Sequence, residues 1–246
     1  MTRLEGKAAL VTGANRGIGR AFVEELLAAG AAKVYAAARN LESLKDLVAE
    51  SGGRVIPVAL DVTKPATIEA AASAHKDVAV LINNAGVAAF EGIIDAASID
   101  PARDEMEVNY FGPFNTIRAF APVLAANGGG TIVNLASIAS HVNFPVLGSY
   151  SASKAAVHSL TQGVRAELAA QGTLVVGVYP GPVDTDMAAN MPMDKTAPNE
   201  VARNVLRAVE ASEEEVYPDP VSAEMHSGLL ADPKAVEKQA GSMLPA

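Results

Sequence analysis

The chain has 246 residues, half of them hydrophobic, and a net charge of −9. That size suits one large α/β domain, and the acidic balance argues against non-specific nucleic-acid binding. The absence of cysteine excludes disulfides, thiolate nucleophiles and cysteine metal sites, and the four histidines are too scattered to form a metal-ligand set. The N-terminal run Met-Thr-Arg-Leu-Glu-Gly-Lys lacks the apolar core of a signal peptide, and no apolar run is long enough to cross a bilayer. A soluble cytoplasmic protein with no membrane partner is expected.

In chain order, residues 7–12 form the first predicted strand, continuously apolar as a strand buried on both faces should be. A glycine-rich turn follows and opens a helix whose stripe is Ile18, Phe22, Val23, Leu26 and Leu27, with Gly30 after its end. Strands at 33–38, 55–60 and 78–83 come next, with Asn40 as N-cap of a helix over 41–50. A long helix is expected at 101–126, bent or interrupted by Pro113 and Pro122. The pattern continues with a strand at 131–137, a helix at 149–171, a strand at 173–179, a helix at 198–211 and a last strand within 213–219. Repeated β-α-β units predict a doubly wound, Rossmann-type parallel sheet binding ligands at the carboxyl ends of its strands. We expect one domain over 1–246, with 1–125 mainly the cofactor half and 126–246 the catalytic and substrate half with an atypical tail.

The turn Thr12-Gly13-Ala14-Asn15-Arg16-Gly17-Ile18-Gly19 lies between a buried strand and an amphipathic helix. In that setting its glycines let the backbone approach a ligand, and the helix N-terminus offers N–H groups to phosphate. An NAD site places a carboxylate about 20 residues further on, at the end of the second strand. Here that place holds Ala38 and Arg39. Arg39, with Arg16 in the turn, suits a 2′-phosphate, so NADP(H) is the expected cofactor. Asp61-Val62 ends the third strand, where a carboxylate can accept from an adenine amino group. Asn83-Asn84-Ala85-Gly86 ends the fourth, with small residues to pass a ribose and an asparagine to tie strands together.

Tyr150 and Lys154 stand four residues apart in Tyr-Ser-Ala-Ser-Lys, on one face of the helix predicted there. A cation beside a phenol favours phenolate, so the tyrosine is expected to titrate below its usual value and to serve as a general acid or base. Taken alone, such a pair is more often an exposed helix face with a snorkelling lysine; its weight comes from the cofactor site in the same chain.

Together these residues resemble the short-chain dehydrogenase/reductase family over nearly the whole chain. The likeness rests on Thr12–Gly19 as Thr-Gly-x-x-x-Gly-x-Gly, Asn83–Gly86, Asn109 in Glu-Val-Asn, Ser137, Tyr150–Lys154, and Pro180-Gly181 with Thr185. The resemblance implies an oxidoreductase passing a hydride between nicotinamide and a carbonyl. In it Tyr150 exchanges the proton, Ser137 orients the oxygen, and Lys154 lowers the tyrosine and binds the ribose. It further implies that Asn109 holds a water linking Lys154 to solvent. Pro180, Gly181 and Val183 would flank the nicotinamide, and Thr185 would contact its amide. The bound segment would also include Gly13, Asn15, Arg16, Gly17, Ile18, Gly19, Asn83, Ala85 and Gly86.

The expected substrate pocket is Val87, Ala88, Ile138, His141, Phe144, Leu147, Val183, Met187 and Met191. It predicts a hydrophobic ketone or aldehyde and the matching alcohol. The stretch after Thr185 is short, which suggests an open site or a lid supplied by the tail. The tail, rich in Ala and Met, lacks the Gly-rich strand that joins many members into tetramers. A homodimer through the two long helices, or a homotetramer, is expected. Two other classes compete: a non-catalytic NADP(H)-binding redox sensor, which the intact Ser, Asn, Tyr and Lys oppose, and a sugar-nucleotide epimerase, for which the chain is short.

Overall fold

The computed structural model describes residues 3–245; residues 1, 2 and 246, the ends of the expected domain, lie outside the described residues. Seven parallel strands form one sheet in the order β3-β2-β1-β4-β5-β6-β7. They are β1 (Ala8–Thr12), β2 (Lys33–Ala38), β3 (Val55–Ala59), β4 (Val78–Asn83), β5 (Thr131–Leu135), β6 (Leu174–Val178) and the two-residue β7 (Glu215–Val216). The order reverses between β1 and β4, so a crevice opens at their carboxyl ends.

Both sheet faces are covered, which is why the strands read as unbroken apolar runs. Alternate residues serve opposite cores. Ala9 and Val11 of β1 face α1 (Gly17–Ala28), α2 (Lys45–Glu50) and α7 (Pro198–Ala211), beside Phe22, Leu26, Val205 and Val209. Ala8 and Leu10 face α3 (Pro65–Ala74), α5 (Gly112–Ala126) and α6 (Gly148–Leu168), beside Ile68, Ile117, Phe120 and Leu124. Each such Leu, Ile, Val or Phe contributes ~1.5–3 kcal/mol by leaving water. Small alanines on β1 and β2 let the helices lie close, consistent with the scarcity of aromatics.

A third, smaller core sits at the catalytic end. Ile138, Ala139, Val142 and Phe144, after β5, pack against Val236 and Ala240 of α9 (Pro233–Ala240), with Met225 of α8 (Pro220–Ala231) beside them. The atypical tail is therefore a packed cap. Asp219 starts it as N-cap of α8, accepting from Ser222 N at 2.9 Å.

The expected interruption of the 101–126 helix is present, but earlier than either proline. α4 (Asp100–Glu105) runs into a π-helical turn, Met106–Phe111, before α5 begins. Pro113 has no N–H to return to the carbonyl of Asn109, as an α-helix would require, and Gly112 N instead reaches back five residues to Glu107 O. Pro122 is carried inside α5 without ending it.

Candidate active site

A cavity of about 640 Å³ lies along the carboxyl ends of the strands. Its cofactor half begins at the glycine turn. Gly13 has φ +65°, and a Cβ on Gly19 would sit 2.1 Å from Gly13 O. No side chain caps α1, and its first turn holds no acidic residue, so the N–H groups there remain open to an anion. Asn84 braces this turn from β4: its Nδ2 donates to Thr12 O at 2.9 Å, while Thr12 Oγ1 accepts the N–H groups of Asn84 and Ala85 at 3.0 and 3.1 Å.

Gly13, Asn15, Arg16, Gly17, Ile18, Gly19, Arg39, Asp61, Val62, Ala85 and Gly86 all line the cavity, as do Pro180, Gly181, Val183 and Thr185. Asn83 does not. It is buried and donates to Asn134 Oδ1 at 2.8 Å, so it ties β4 to β5, and its neighbour Asn84 faces the cavity instead. In a strand, consecutive side chains point opposite ways, and a one-residue error changes the role. Asn40, Ser43 and Thr63 complete the wall around Arg39 and Asp61. Asp61 accepts from Thr63 N and Oγ1 at 3.1 and 2.8 Å. Burial works to raise its carboxyl, but these bonds and nearby Lys64 hold it below the usual carboxylate range. Arg16 is paired with Asp186 Oδ2 at 2.9 Å, both side chains being largely exposed. The residues present fit a dinucleotide: a cramped glycine turn, an uncapped helix N-terminus and a free arginine where an NAD site would carry an acid.

The catalytic half is built by β5 and α6. Ser137 is 8% exposed; its Oγ accepts from Ala139 N at 3.1 Å and donates to Pro180 O at 3.4 Å. Tyr150, in the first turn of α6, lines the cavity together with Ser137. Lys154 lies one turn on, buried, with Nζ donating to Leu135 O at 2.8 Å and standing 5.6 Å from the Tyr150 ring centroid. The phenol is not lowered as the sequence suggested. Burial pushes it up to about 12, outweighing the nearby Ser137 hydroxyl, and the Glu105 carboxylate adds to the rise. Burial likewise brings the Lys154 ammonium down to about 8. Desolvation disfavours both charged forms, and one cation beside the ring does not reverse it.

Asn109 stands behind the cavity wall, in the π turn. Its Oδ1 accepts Val87 N at 2.9 Å, and its Nδ2 donates to Val87 O and to Ser153 Oγ, each at 2.9 Å. Its side chain thus clamps a pocket-lining loop to the helix that carries Tyr150.

Val87, Ala88, Ile138, Phe144, Leu147, Val183, Met187 and Met191 line the substrate end. His141 does not. The short turn Ile138–Ser140 carries it away, into a cluster 4.5 Å from the Tyr179 ring and 4.7 Å from His158. Its Nε2 is 3.3 Å from Tyr217 Oη. Burial first, then His158, brings its imidazole down to about 4. Sequence reading missed Phe90, Val146, Met193, Met225 and Met243 of this wall. The tail reaches it by a main-chain bond, Val146 N to Met243 O at 3.0 Å. The sequence offered a lid from the tail as one of two expectations, and this contact is in keeping with it.

A parallel sheet that reverses order beside a glycine turn, with Ser, Tyr and Lys gathered at the end of one strand and on the helix after it, places the chain in the doubly wound dinucleotide-fold class. More narrowly, the chain belongs to the short chain dehydrogenase family, whose profile matches residues 7–196. The short chain dehydrogenase pigC of Monascus ruber is 37% identical over a 199-residue alignment, gaps included, that covers 75% of this chain and 65% of pigC. The chain thus spans just under two thirds of that relative's length. A short chain dehydrogenase from Burkholderia cenocepacia, solved in complex with NADP, is 44% identical with a TM-score of 0.92, covering 99% of this chain and all of that one. Another from Burkholderia phymatum, in complex with NAD, is 27% identical with a TM-score of 0.85, covering 100% of this chain and 99% of that one. Among the described residues no helix is long and apolar enough to cross a membrane, and no side-chain group is arranged to hold a metal.

Proposed function

We propose that the protein is an NADP(H)-dependent carbonyl reductase acting on hydrophobic ketones or aldehydes, and on the matching alcohols in reverse. When bound, the nicotinamide supplies or accepts the hydride. Ser137 orients the carbonyl oxygen through its hydroxyl. Tyr150 gives its phenolic proton to that oxygen as the carbon is reduced, so that alcohol is formed. Lys154 carries the charge that stabilises the phenolate left behind, and its ammonium suits ribose hydroxyls.

The observation that carries this reading is that Ser137, Tyr150 and Lys154 line the same cavity as the glycine turn, with the Lys154 ammonium 5.6 Å from the Tyr150 ring centroid. The preference for NADP(H) rests on Arg39 and on the lack of any acid at the end of β2; the B. cenocepacia relative bound to NADP supports it. The methionine-rich, largely apolar wall supports the substrate class, since thioether side chains adapt to varied apolar shapes. With Ser137, Tyr150 and Lys154 all in place, a purely redox-sensing role is not favoured.

Replacing Tyr150 by Phe removes only the hydroxyl. NADPH oxidation with an apolar ketone should fall on the order of 100- to 10,000-fold, while NADPH fluorescence titration stays unchanged. Turnover within a few-fold of the parent would sink the assignment.

A further inference from the structure

The loop of residues 84–99 joins β4 to α4 and borders the cavity. Its first half is pinned. Asn109 holds Val87 through both main-chain groups, and Glu105 Oε1 accepts Ala89 N–H at 2.6 Å. Its second half is apolar and uncovered. Phe90 lines the cavity and is yet exposed, Ile93 is 65% exposed and Ile94 90%. The end of the tail repeats the pattern: Met243 lines the cavity and is exposed, and Leu244 after it is 71% exposed.

The two segments meet. A Cβ on Gly92 would come within 2.8 Å of Pro245 Cγ, and one on Gly148 within 2.5 Å of Ile93 Cγ1. These two glycines leave the room in which loop, tail and the start of α6 pack together. Val146 and Leu147, in the turn before α6, line the cavity, and Val146 N–H donates to Met243 O. The apolar wall therefore does not stop inside the cavity. It continues over Phe90 and Met243 to Ile93, Ile94 and Leu244 on the surface.

Contiguous exposed apolar side chains mark a contact site. A compact ketone needs only the inner wall, so the outer strip has another occupant, and continuity with the cavity favours the substrate itself. Charge narrows its chemistry. The cations lining the cavity are Arg16, Arg39 and Lys154, all in the cofactor and catalytic parts, while the outer loop carries Glu91 and Asp95. At the substrate end no cation of the cavity wall would pair with a carboxylate or phosphate, and burying such a charge unpaired is costly.

We propose that the substrate is a long, uncharged aliphatic ketone or aldehyde. Its carbonyl lies at Ser137 and Tyr150, and its chain passes Phe90 and Met243 to rest on Ile93, Ile94 and Leu244. This rests on the carbonyl-reductase reading and adds the part of the substrate remote from the reacting carbon, whose binding contributes to kcat/KM.

The test is NADPH oxidation with straight-chain methyl ketones from hexanone to dodecanone. In the parent, kcat/KM should rise about twofold to fourfold for each added methylene, the upper figure corresponding to full burial. Ile94→Ser combined with Leu244→Ser strips the outer surface, and because both side chains are mostly exposed the fold should keep its stability. The ratio of kcat/KM for dodecanone to that for hexanone should fall about fivefold or more in this double variant. A ratio near unity in the parent, or one that survives the two substitutions, overturns the proposal. If it survives while light scattering shows a halved particle mass, the strip is a contact between copies of this chain. Hexanone turnover without any effect of length defeats this inference alone, whereas no turnover of any ketone in the series removes the carbonyl-reductase reading and this inference with it.

Discussion

At the scale of single residues, the proposed cofactor preference rests on charge placement. Arg39 lines the cavity with no carboxylate within salt-bridge distance among the described residues, while Arg16 is already engaged by Asp186. In the proposed reading Arg39 is the main group available to a 2′-phosphate. A charge-assisted bond contributes ~1.5–3 kcal/mol, or about tenfold to a hundredfold. Arg39→Ala should lower the NADPH/NADH ratio of kcat/KM by about that factor, chiefly through KM for NADPH. An unchanged ratio means the phosphate is held elsewhere. The same scale shows where sequence reading stops. Arg39's place on the cavity wall was legible because it follows directly on the carboxyl end of a readable strand, β2. His141 was not, because its place near the pocket says nothing of the turn that points its ring toward Tyr179 and Tyr217. Nor could spacing reveal that burial would outweigh Lys154 at Tyr150, since that balance depends on dielectric surroundings.

At the scale of elements, the continuously apolar strands were readable nearly to the residue. β2 and β4 match their expected bounds because polar or turn residues flank them. The fifth strand was expected to reach Ser137 but ends at Leu135; Ala136 N still donates to Val178 O of β6 at 2.8 Å, and at Ser137 the chain turns into Ile138–Ser140. The π turn was hidden because Pro113 announces a break without saying on which side it falls. The glycine turn between β1 and α1 is the most constrained element. A methyl group on Gly19 would meet Gly13 O at 2.1 Å and Asn84 Nδ2 at 2.5 Å, and the main-chain oxygen cannot step aside cheaply. Gly19→Ala should cost ~1–3 kcal/mol, lowering Tm by roughly 2–4 °C per kcal/mol. It should also weaken NADPH binding at least about tenfold, because the same turn shapes the phosphate cradle. A melt and a titration matching the parent would show that the turn relaxes more readily than its packing suggests.

At the scale of the whole molecule, the two ends of the cavity are built from different parts of the chain. The sheet and α1 form the cofactor end, while the cap of α8, α9 and the segment through Met243 closes the substrate end. Ending the chain after Asp232 removes Val236, Ala240 and Met243 and uncovers Ile138 and Phe144. KM for a bulky apolar ketone should rise about tenfold and Tm should fall, with NADPH affinity unchanged. Equal KM values would show that the cap serves stability alone.

Asp219 ties these two ends together. Its carboxylate accepts Gly181 N–H at 2.8 Å and, from within the cap, Ser222 N–H at 2.9 Å. The loop bordering the cofactor and the helix covering the substrate thus share a single buried anchor. The cap is therefore not an interchangeable module: a foreign tail grafted onto this sheet would need its own acceptor for Gly181, or a change of substrate range would loosen the grip on the coenzyme as well.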